Sequence, residues 1–183
     1  IILDPDNFLE ILQKTKKPKG RYLMISFDDG FKSNRKVANT LKDKFNIKGI
    51  FFVLTDFIKI NDINKSLEFA KKNLKNYDLN MSNLTKEDLV EMIDEGHILG
   101  SHTCKHFQLS RLNKNELKNE LSISKQYLES NFAINCNNFA IPFGNIQSFN
   151  ELSVSEIKKY YTYIYTGLRG NNKKATNNIF FTW

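Results

Sequence analysis

The sequence contains little cysteine, since Cys104 and Cys136 are the only two among its 183 residues. Two cysteines this far apart cannot build the framework of several disulfides that small secreted scaffolds need. Their spacing also does not form a Cys-x-x-Cys metal or redox motif. We therefore interpret both as small buried hydrophobic side chains.

Long apolar runs are also absent. No stretch approaches the roughly 20 consecutive apolar residues of a transmembrane helix, and the N-terminus lacks the pattern of a secretory signal peptide. Ile1 stands where an initiator methionine would be, which predicts that the chain is a fragment or a processed product. The missing signal peptide therefore does not locate the protein.

The formal net charge is +7 at pH 7. A charge of this size can mark a nucleic-acid or anionic-glycan partner. The lysines, however, are scattered among abundant asparagines and isoleucines, and no dense basic stripe interleaves with aromatic residues. We therefore expect no nucleic-acid partner.

The length and the hydrophobic content of 40% allow one sizeable core, so we expect a single domain over residues 1–183. A polar segment at about 55–83 is expected to be a surface excursion, with one helix near 67–74. Strand-like and helical patterns alternate without internal repeats, which favours a (β/α) barrel or an open doubly wound sheet. The predicted strands cover 22–25, 47–54, 97–101, 139–141 and 162–166. The predicted helices cover 7–14, 31–45, 86–95, 113–132 and 153–161, with a basic connector at 16–20 and a Ser153–Glu156 capping box.

Several candidate functional residues follow directly after predicted strands. In both candidate architectures, function gathers at the carboxyl ends of the parallel strands. The residues at or just past such ends are Asp28, Asp29, His102, Pro142 and Arg169. Because the strand assignments did not use these residues, their shared position indicates a site.

His102 and His106 lie four residues apart. Two histidines and a carboxylate from another strand end are the ligands of a facial two-His-one-carboxylate metal site. Asp28 and Asp29 offer two carboxylates, so one is left over to act on a metal-bound water. An Asp-Gly pair after a strand is by itself most often a turn, and the prediction therefore depends on the combination.

Three blocks of sequence resemble the polysaccharide deacetylase family, the NodB-homology domains of carbohydrate esterase family 4. They are Ser26–Gly30 (SFDDG), Gly96–His106 (GHILGSHTCKH) and Phe139–Gly144 (FAIPFG). The resemblance implies a distorted (β/α) barrel, which we expect to be incomplete at both ends of this chain. It further implies a divalent metal ion, usually Zn²⁺, and hydrolysis of N-acetyl, in some relatives O-acetyl, groups on a glycan.

The resemblance also implies roles for individual residues. Asp29, His102 and His106 would bind the metal, and Asp28 would be the general base. The backbone N–H of Phe143 would donate to the oxyanion. A location in the cell envelope or outside the cell is favoured, with the cytoplasm as the alternative, and no oligomeric state is implied.

Pro142 and Phe143 would contact the acetylated glycan in this comparison. The sequence departs from the family pattern at two points. Ala140 stands where the family has an arginine that pairs with the catalytic aspartate, and no late block with a histidine occurs before Trp183. These departures motivate an alternative function, a catalytically weak or silent metal- and sugar-binding module on the same scaffold.

Three further residues have competing interpretations. His97 lies five residues before His102, or roughly 16 Å along a strand at ~3.3 Å per residue, so we expect a structural hydrogen-bonding role. Cys104 is a less favoured fourth ligand, because hydrolysis needs an open metal position. Arg169 is either a solvated loop arginine or the positive charge that holds Asp28 ionised in place of the family's arginine.

Overall fold

The computed structural model describes residues 1–13, 20–75, 81–170, 172 and 179–182. Helices and strands alternate along much of this part of the chain, as the sequence predicts, but three helices follow one another between the second and third strands. The helices are α1 Pro5–Gln13, α2 Ser33–Phe45, α3 Thr55–Ile58, α4 Ile63–Asn73, α5 Lys86–Asp94, α6 Lys114–Phe132 and α7 Glu151–Ile157. The strands are β1 Ser26–Phe27, β2 Ile50–Val53, β3 Ile98–Ser101, β4 Asn138–Ala140, β5 Tyr163–Arg169 and β6 Ile179–Thr182.

The strands form one parallel sheet in the order β1-β2-β3-β4-β5-β6. A doubly wound sheet would reverse its strand order at a switch point, whereas this order follows the chain throughout. The described strands leave the sheet open between β1 and β6. The fold is therefore α/β, an incomplete barrel, and the prediction of this class is confirmed.

The strand register brings the predicted site to one edge of the sheet. Phe27 of β1 pairs with Phe51, while Ser101 of β3 pairs with both Val53 and Phe139. The residues that follow β1, β3 and β4 therefore emerge beside one another at the carboxyl edge.

The core lies on both faces of β2, whose four side chains are all buried. Successive side chains of a strand point to opposite faces. Phe51 and Val53 belong to the large cluster that the helices cover. Ile50 and Phe52 instead pack inside the half-barrel, in a smaller cluster that contains Tyr165.

The first strand differs from its prediction. The run from Tyr22 was expected to be a buried strand, but only Ser26 and Phe27 form regular strand structure, and Leu23 is 55% exposed. Leu23 instead forms a single parallel bridge with Ile2, in which its N–H donates to the Ile1 carbonyl at 3.0 Å and its carbonyl accepts the Leu3 N–H at 2.9 Å.

The segment at 55–83 also differs from its prediction as a surface excursion. It contains α3 and α4, and Phe57 and Ala70 are buried in a cluster with Phe31 and Leu54. The segment is rich in lysine and asparagine, but its helices place the apolar side chains together on one side. Residues 76–80 lie outside the described part of the chain.

The start of α7 corrects the predicted cap. Asn150, rather than Ser153, is the N-cap, and its Oδ1 accepts the Ser153 backbone N–H at 2.9 Å. In the reciprocal hydrogen bond, the Ser153 hydroxyl oxygen accepts the Asn150 backbone N–H at 2.8 Å. The helix therefore begins earlier than predicted and ends at Ile157.

Other expectations concern single residues and short segments. His97 is buried, accepts the Gly49 N–H on Nδ1 at 3.0 Å and donates from Nε2 to the Ala38 carbonyl at 3.2 Å. These hydrogen bonds confirm the structural role of His97. Both cysteines are buried and free, as expected.

The connector at 16–20 lies outside the described residues except for Gly20. In the described residues we find no helix that is long and apolar enough to cross a membrane.

Candidate metal centre

Asp29 lies in a sharp turn directly after β1. Asp29 and Gly30 both have positive φ angles, 74° and 85°. The Asp28 carbonyl oxygen stabilises the turn by accepting the Gly30 N–H at 3.0 Å and an Asn34 side-chain N–H at 3.3 Å. Such a backbone conformation costs about 1–3 kcal/mol for a residue other than glycine and is typical of functional sites.

His102 directly follows β3 and is only 2% exposed. Its backbone N–H donates to the Val53 carbonyl at 3.0 Å, which continues the sheet pairing. Its Nδ1 donates to the Ala140 carbonyl at 2.9 Å. Because Nδ1 then carries the ring hydrogen, Nε2 has a free lone pair, as in metal-binding histidines.

His106 ends a tight loop in which Thr103 and His106 have φ angles of 75° and 64°. The Thr103 hydroxyl oxygen accepts the His106 backbone N–H at 3.1 Å. This loop brings the second imidazole back toward the first, with the two ring centroids 5.0 Å apart.

The three predicted ligands meet at one point. Asp29 Oδ1 lies 3.6 Å from Nε2 of His102 and 3.6 Å from Nε2 of His106, and one ligand atom from each residue lies within 4.8 Å of the others. Asp29 Oδ1 is buried without a hydrogen-bond partner. A buried carboxylate oxygen without a partner is costly, and a cation between these three atoms removes that cost. Two imidazole nitrogens and one carboxylate fit Zn²⁺ or a similar divalent ion.

Burial sets the protonation of these ligands. It lowers the pKa of His102 to about 4, and burial together with the nearby His102 lowers that of His106 to about 3. Both imidazoles are therefore neutral at pH 7, the form that binds metals. Burial, with a contribution from the Asp28 charge, raises the pKa of Asp29 to about 7.

Asp28 stands beside this cluster without joining it. Asp28 lines the cavity and is accessible to solvent. Desolvation of its carboxyl group by the surrounding protein raises its pKa to about 6, an effect that His106 opposes. A carboxylate next to a metal site with such a pKa can accept a proton near neutral pH.

A cavity of about 200 Å³ opens at the cluster. Its lining includes Phe143, which has a φ angle of 64°, is 49% exposed and has its ring centroid 4.5 Å from that of His106. The cavity is lined by Ser26, Asp28, Asp29, Phe52, His102, His106, Ala140, Ile141, Phe143, Gly144, Tyr165, Thr166 and Gly167.

Three residues that the sequence suggested for the site, Pro142, Arg169 and Cys104, do not line the cavity. Pro142 is buried within the turn after β4, next to Phe143. Arg169 is exposed at the end of β5 and does not line the cavity. Cys104 is outside the ligand cluster, and its Sγ lies 3.7 Å from the Glu120 carbonyl oxygen, to which it donates.

β5 and α6 make contributions to the site that were not predicted from the sequence. Tyr165, Thr166 and Gly167 line the cavity, although the sequence marked this strand only through Arg169. Glu120 of α6 contacts the loop between the two histidines. The sequence pattern could have indicated this role, because Glu120 is a charged residue on the apolar face of an amphipathic helix, beside Leu121.

Comparisons with known proteins agree with this geometry. The model of the family described as polysaccharide deacetylase matches residues 15–176. YxkH of Bacillus subtilis, whose name refers to the same family, is 26% identical over 157 residues. That alignment covers 86% of this chain and 48% of the relative, so the chain spans about half of its length.

Solved structures show the same fold. The Streptococcus pyogenes deacetylase PplD superposes with a TM-score of 0.78 at 20% identity, over 99% of this chain and 72% of that one. A polysaccharide deacetylase from Bacillus cereus gives a TM-score of 0.72 at 21% identity, over 99% and 51% of the two chains. Since the family model covers most of its residues, the chain belongs to the polysaccharide deacetylase family.

Proposed function

We propose that this protein is a metal-dependent hydrolase that removes acetyl groups, N-acetyl groups foremost, from a glycan. Family membership supports deacetylation of a polysaccharide. The observation that carries the metal dependence is the buried Asp29 Oδ1, which lacks a hydrogen-bond partner and lies 3.6 Å from Nε2 of both His102 and His106.

Asp29, His102 and His106 would hold the ion, most simply Zn²⁺. When bound, such an ion supplies Lewis acidity toward the acetyl carbonyl and lowers the pKa of the attacking water. Three protein ligands leave coordination positions open, as a catalytic site requires. The Ala140 carbonyl would keep His102 in the required tautomer through its bond from Nδ1.

Asp28 would take the proton from the water that attacks the acetyl carbon. Its carboxyl group borders the ligand cluster but is not one of the three clustered groups, which suits a general base. The Phe143 backbone N–H would donate to the oxyanion that develops on the carbonyl oxygen. Pro142 would hold the turn that presents Phe143 to the substrate, and cleavage of the C–N bond would yield acetate and a free amine.

One observation favours a second candidate, a silent metal- and sugar-binding module. Ala140 belongs to an apolar cluster with Ile50, Phe52 and Tyr165. The position that holds the family's arginine therefore offers Asp28 no cation. A general base without its orienting partner can lose most of its rate while metal and sugar binding persist.

Acetate release distinguishes the two candidates. Purified protein is incubated with N-acetylglucosamine oligomers, with a chelator, and with the chelator followed by excess Zn²⁺. A deacetylase releases acetate, loses this activity with the chelator and regains it with zinc. A silent module binds zinc and the oligomer without releasing acetate.

We further propose that residues 1–183 act as one catalytic domain on a glycan of the cell envelope or the cell exterior. The family's acetylated glycan substrates support this proposal. Fractionation of the producing cells, followed by immunoblotting of the envelope, medium and cytoplasm, tests the location.

A further inference from the structure

The loop from His102 to His106 is not helical, so its backbone N–H groups need partners from elsewhere. Buried N–H groups are nearly always hydrogen-bonded. The His102 N–H donates to β2, and the Thr103 and His106 N–H groups donate to hydroxyl oxygens of Ser101 and Thr103. The remaining two groups, from Cys104 and Lys105, donate to a single carboxylate oxygen of Glu120.

Glu120 lies on α6 and is only 8% exposed. Its Oε2 accepts the Cys104 N–H at 2.9 Å and the Lys105 N–H at 3.1 Å. Burial raises the pKa of Glu120, and the two backbone donors oppose that effect. Hydrogen bonds to a carboxylate are about twice as strong as those between neutral groups, so the bonds attach the loop firmly to α6.

The other side of the loop is attached to α3. The Thr55 N–H donates to the Thr103 carbonyl and the Asp56 N–H donates to the Cys104 carbonyl, both at 3.1 Å. The loop is therefore clamped between the start of α3 and the side chain of Glu120. Two of its residues, Thr103 and His106, have left-handed backbone conformations, which persist only where the surroundings impose them.

The helix that carries Glu120 is itself well anchored. Leu117 and Leu121, on either side of Glu120, are completely buried in the main core. Ser124, one turn further along, accepts the Ser101 hydroxyl at 2.9 Å. Because Ser101 also accepts the Thr103 N–H, α6 holds the loop at its start as well as in its middle.

We propose that Glu120 is a positioning residue, which fixes the backbone between His102 and His106 so that both imidazoles meet Asp29 in metal-binding geometry. This inference rests on the proposed metal-dependent function. Glu120 contacts the loop backbone rather than either histidine ring, so it acts through the loop. Substitution of residues that orient the ligands without binding the metal typically lowers metal affinity or activity by about 10–100-fold.

The same helix offers a matched control. Glu129 Oε1 accepts the Cys136 backbone N–H at 3.2 Å, in the connection that leads to β4. Like Glu120, it is a carboxylate of α6 that holds a loop N–H, but its loop carries no ligand of the cluster. A general loss of helix anchoring should affect both variants, whereas a positioning role should affect only Glu120.

The test measures Co²⁺ and Zn²⁺ dissociation constants of the wild type, Glu120→Gln and Glu129→Gln by competition with a chromophoric chelator. Urea unfolding of the metal-free proteins gives their stability. We expect a rise of about 10–100-fold in the dissociation constants for Glu120→Gln and less than threefold for Glu129→Gln. The visible spectrum of bound Co²⁺ should change in Glu120→Gln alone, because the spectrum reports ligand geometry.

Equal affinities and Co²⁺ spectra in all three proteins would overturn the positioning role. A wild type that binds neither metal would overturn the proposed function itself, and this inference with it. Amide hydrogen exchange in the wild type needs no folded variant. By linkage, saturating Zn²⁺ should slow exchange at Cys104 and Lys105 more than at Cys136, and unchanged exchange there would count against the proposal.

Discussion

The backbones of Gly144 and Gly167 touch across the carboxyl ends of β4 and β5. The Gly167 N–H donates to the Gly144 carbonyl at 2.9 Å. A Cβ atom added to Gly144 would lie 2.3 Å from the Gly167 nitrogen. Because Phe143 directly precedes this contact, the contact determines where the proposed oxyanion donor lies.

Gly144→Ala should therefore destabilise the protein. The residue has a φ angle of 61° and no room for a methyl group, so we expect a loss of unfolding free energy of about 1–3 kcal/mol or more. Gly167→Ala is the control, because its nearest backbone atoms would lie 3.3 Å away and its φ angle is not positive. Urea unfolding measures both. Equal losses would show that the Gly144 backbone is not under the constraint described.

Asp28→Asn and Asp29→Asn should fail in different ways. Asp29→Asn removes a charged ligand, so we expect weaker zinc binding together with lost activity. Asp28→Asn should keep stoichiometric zinc and lose about 10²–10⁴-fold in turnover, the range typical of a general base. Zinc content and acetate release are measured on the same samples. Full zinc in Asp29→Asn and none in Asp28→Asn would reverse the two roles.

Arg169→Met should leave turnover near the wild-type value. Arg169 is exposed and does not line the cavity, which agrees with the solvated loop arginine considered from the sequence. The alternative, that Arg169 holds Asp28 ionised, predicts a different result. In that case the acidic limb of kcat/KM against pH would move upward in Arg169→Met, because loss of a nearby cation raises a carboxyl pKa.

The ion pair of Arg35 with Glu95 should make stability depend on pH. Two parallel bonds of 2.7 and 2.8 Å join the guanidinium to the carboxylate, and the bond from Arg35 lowers the pKa of Glu95. The pair therefore stabilises the fold fully above the unfolded pKa of about 4.3. This contribution disappears as the pH falls through the lower folded pKa.

Glu95→Gln should then cost about 1 kcal/mol at pH 7 and less as the pH falls below ~4. Glu91→Gln is the control, since Glu91 also contacts Arg35 but its side chain is 63% exposed. We expect its loss to stay within about 0.5 kcal/mol. A cost for Glu95→Gln that does not change between pH 7 and pH 3 would contradict the assignment.

Much of the candidate metal centre could be predicted from the sequence, because its residues lie close to one another along two short segments. Asp28 and Asp29 follow one strand, and His102 and His106 follow another. The carboxyl ends of neighbouring parallel strands lie at the same edge of the sheet. Residues of metal-binding types that follow two such strands therefore predict a shared site. The fold class could be predicted for a similar reason, because strand and helix patterns are set by residues that are close together in the sequence.

The remaining features depend on contacts between distant segments. Glu120 reaches the histidine loop from a helix, and the Gly144–Gly167 contact depends on how β4 and β5 are registered. The sequence shows these residues, but it does not show which of them contact one another in the folded protein. At α7 two overlapping patterns, with Asn150 or Ser153 as the cap, both satisfy local capping chemistry. The backbone that enters the helix selects Asn150.

A zinc titration followed by acetate release tests the central claim most directly. Protein stripped of metal is given increasing amounts of Zn²⁺ and assayed on N-acetylglucosamine oligomers after each addition. Because Asp29, His102 and His106 form one cluster that could hold a metal ion, the rate should rise up to one equivalent of zinc and then level off, and His106→Ala should show no such rise. Acetate release that is equally fast in fully metal-free protein, or no release at any zinc level, would contradict the assignment of a metal-dependent deacetylase.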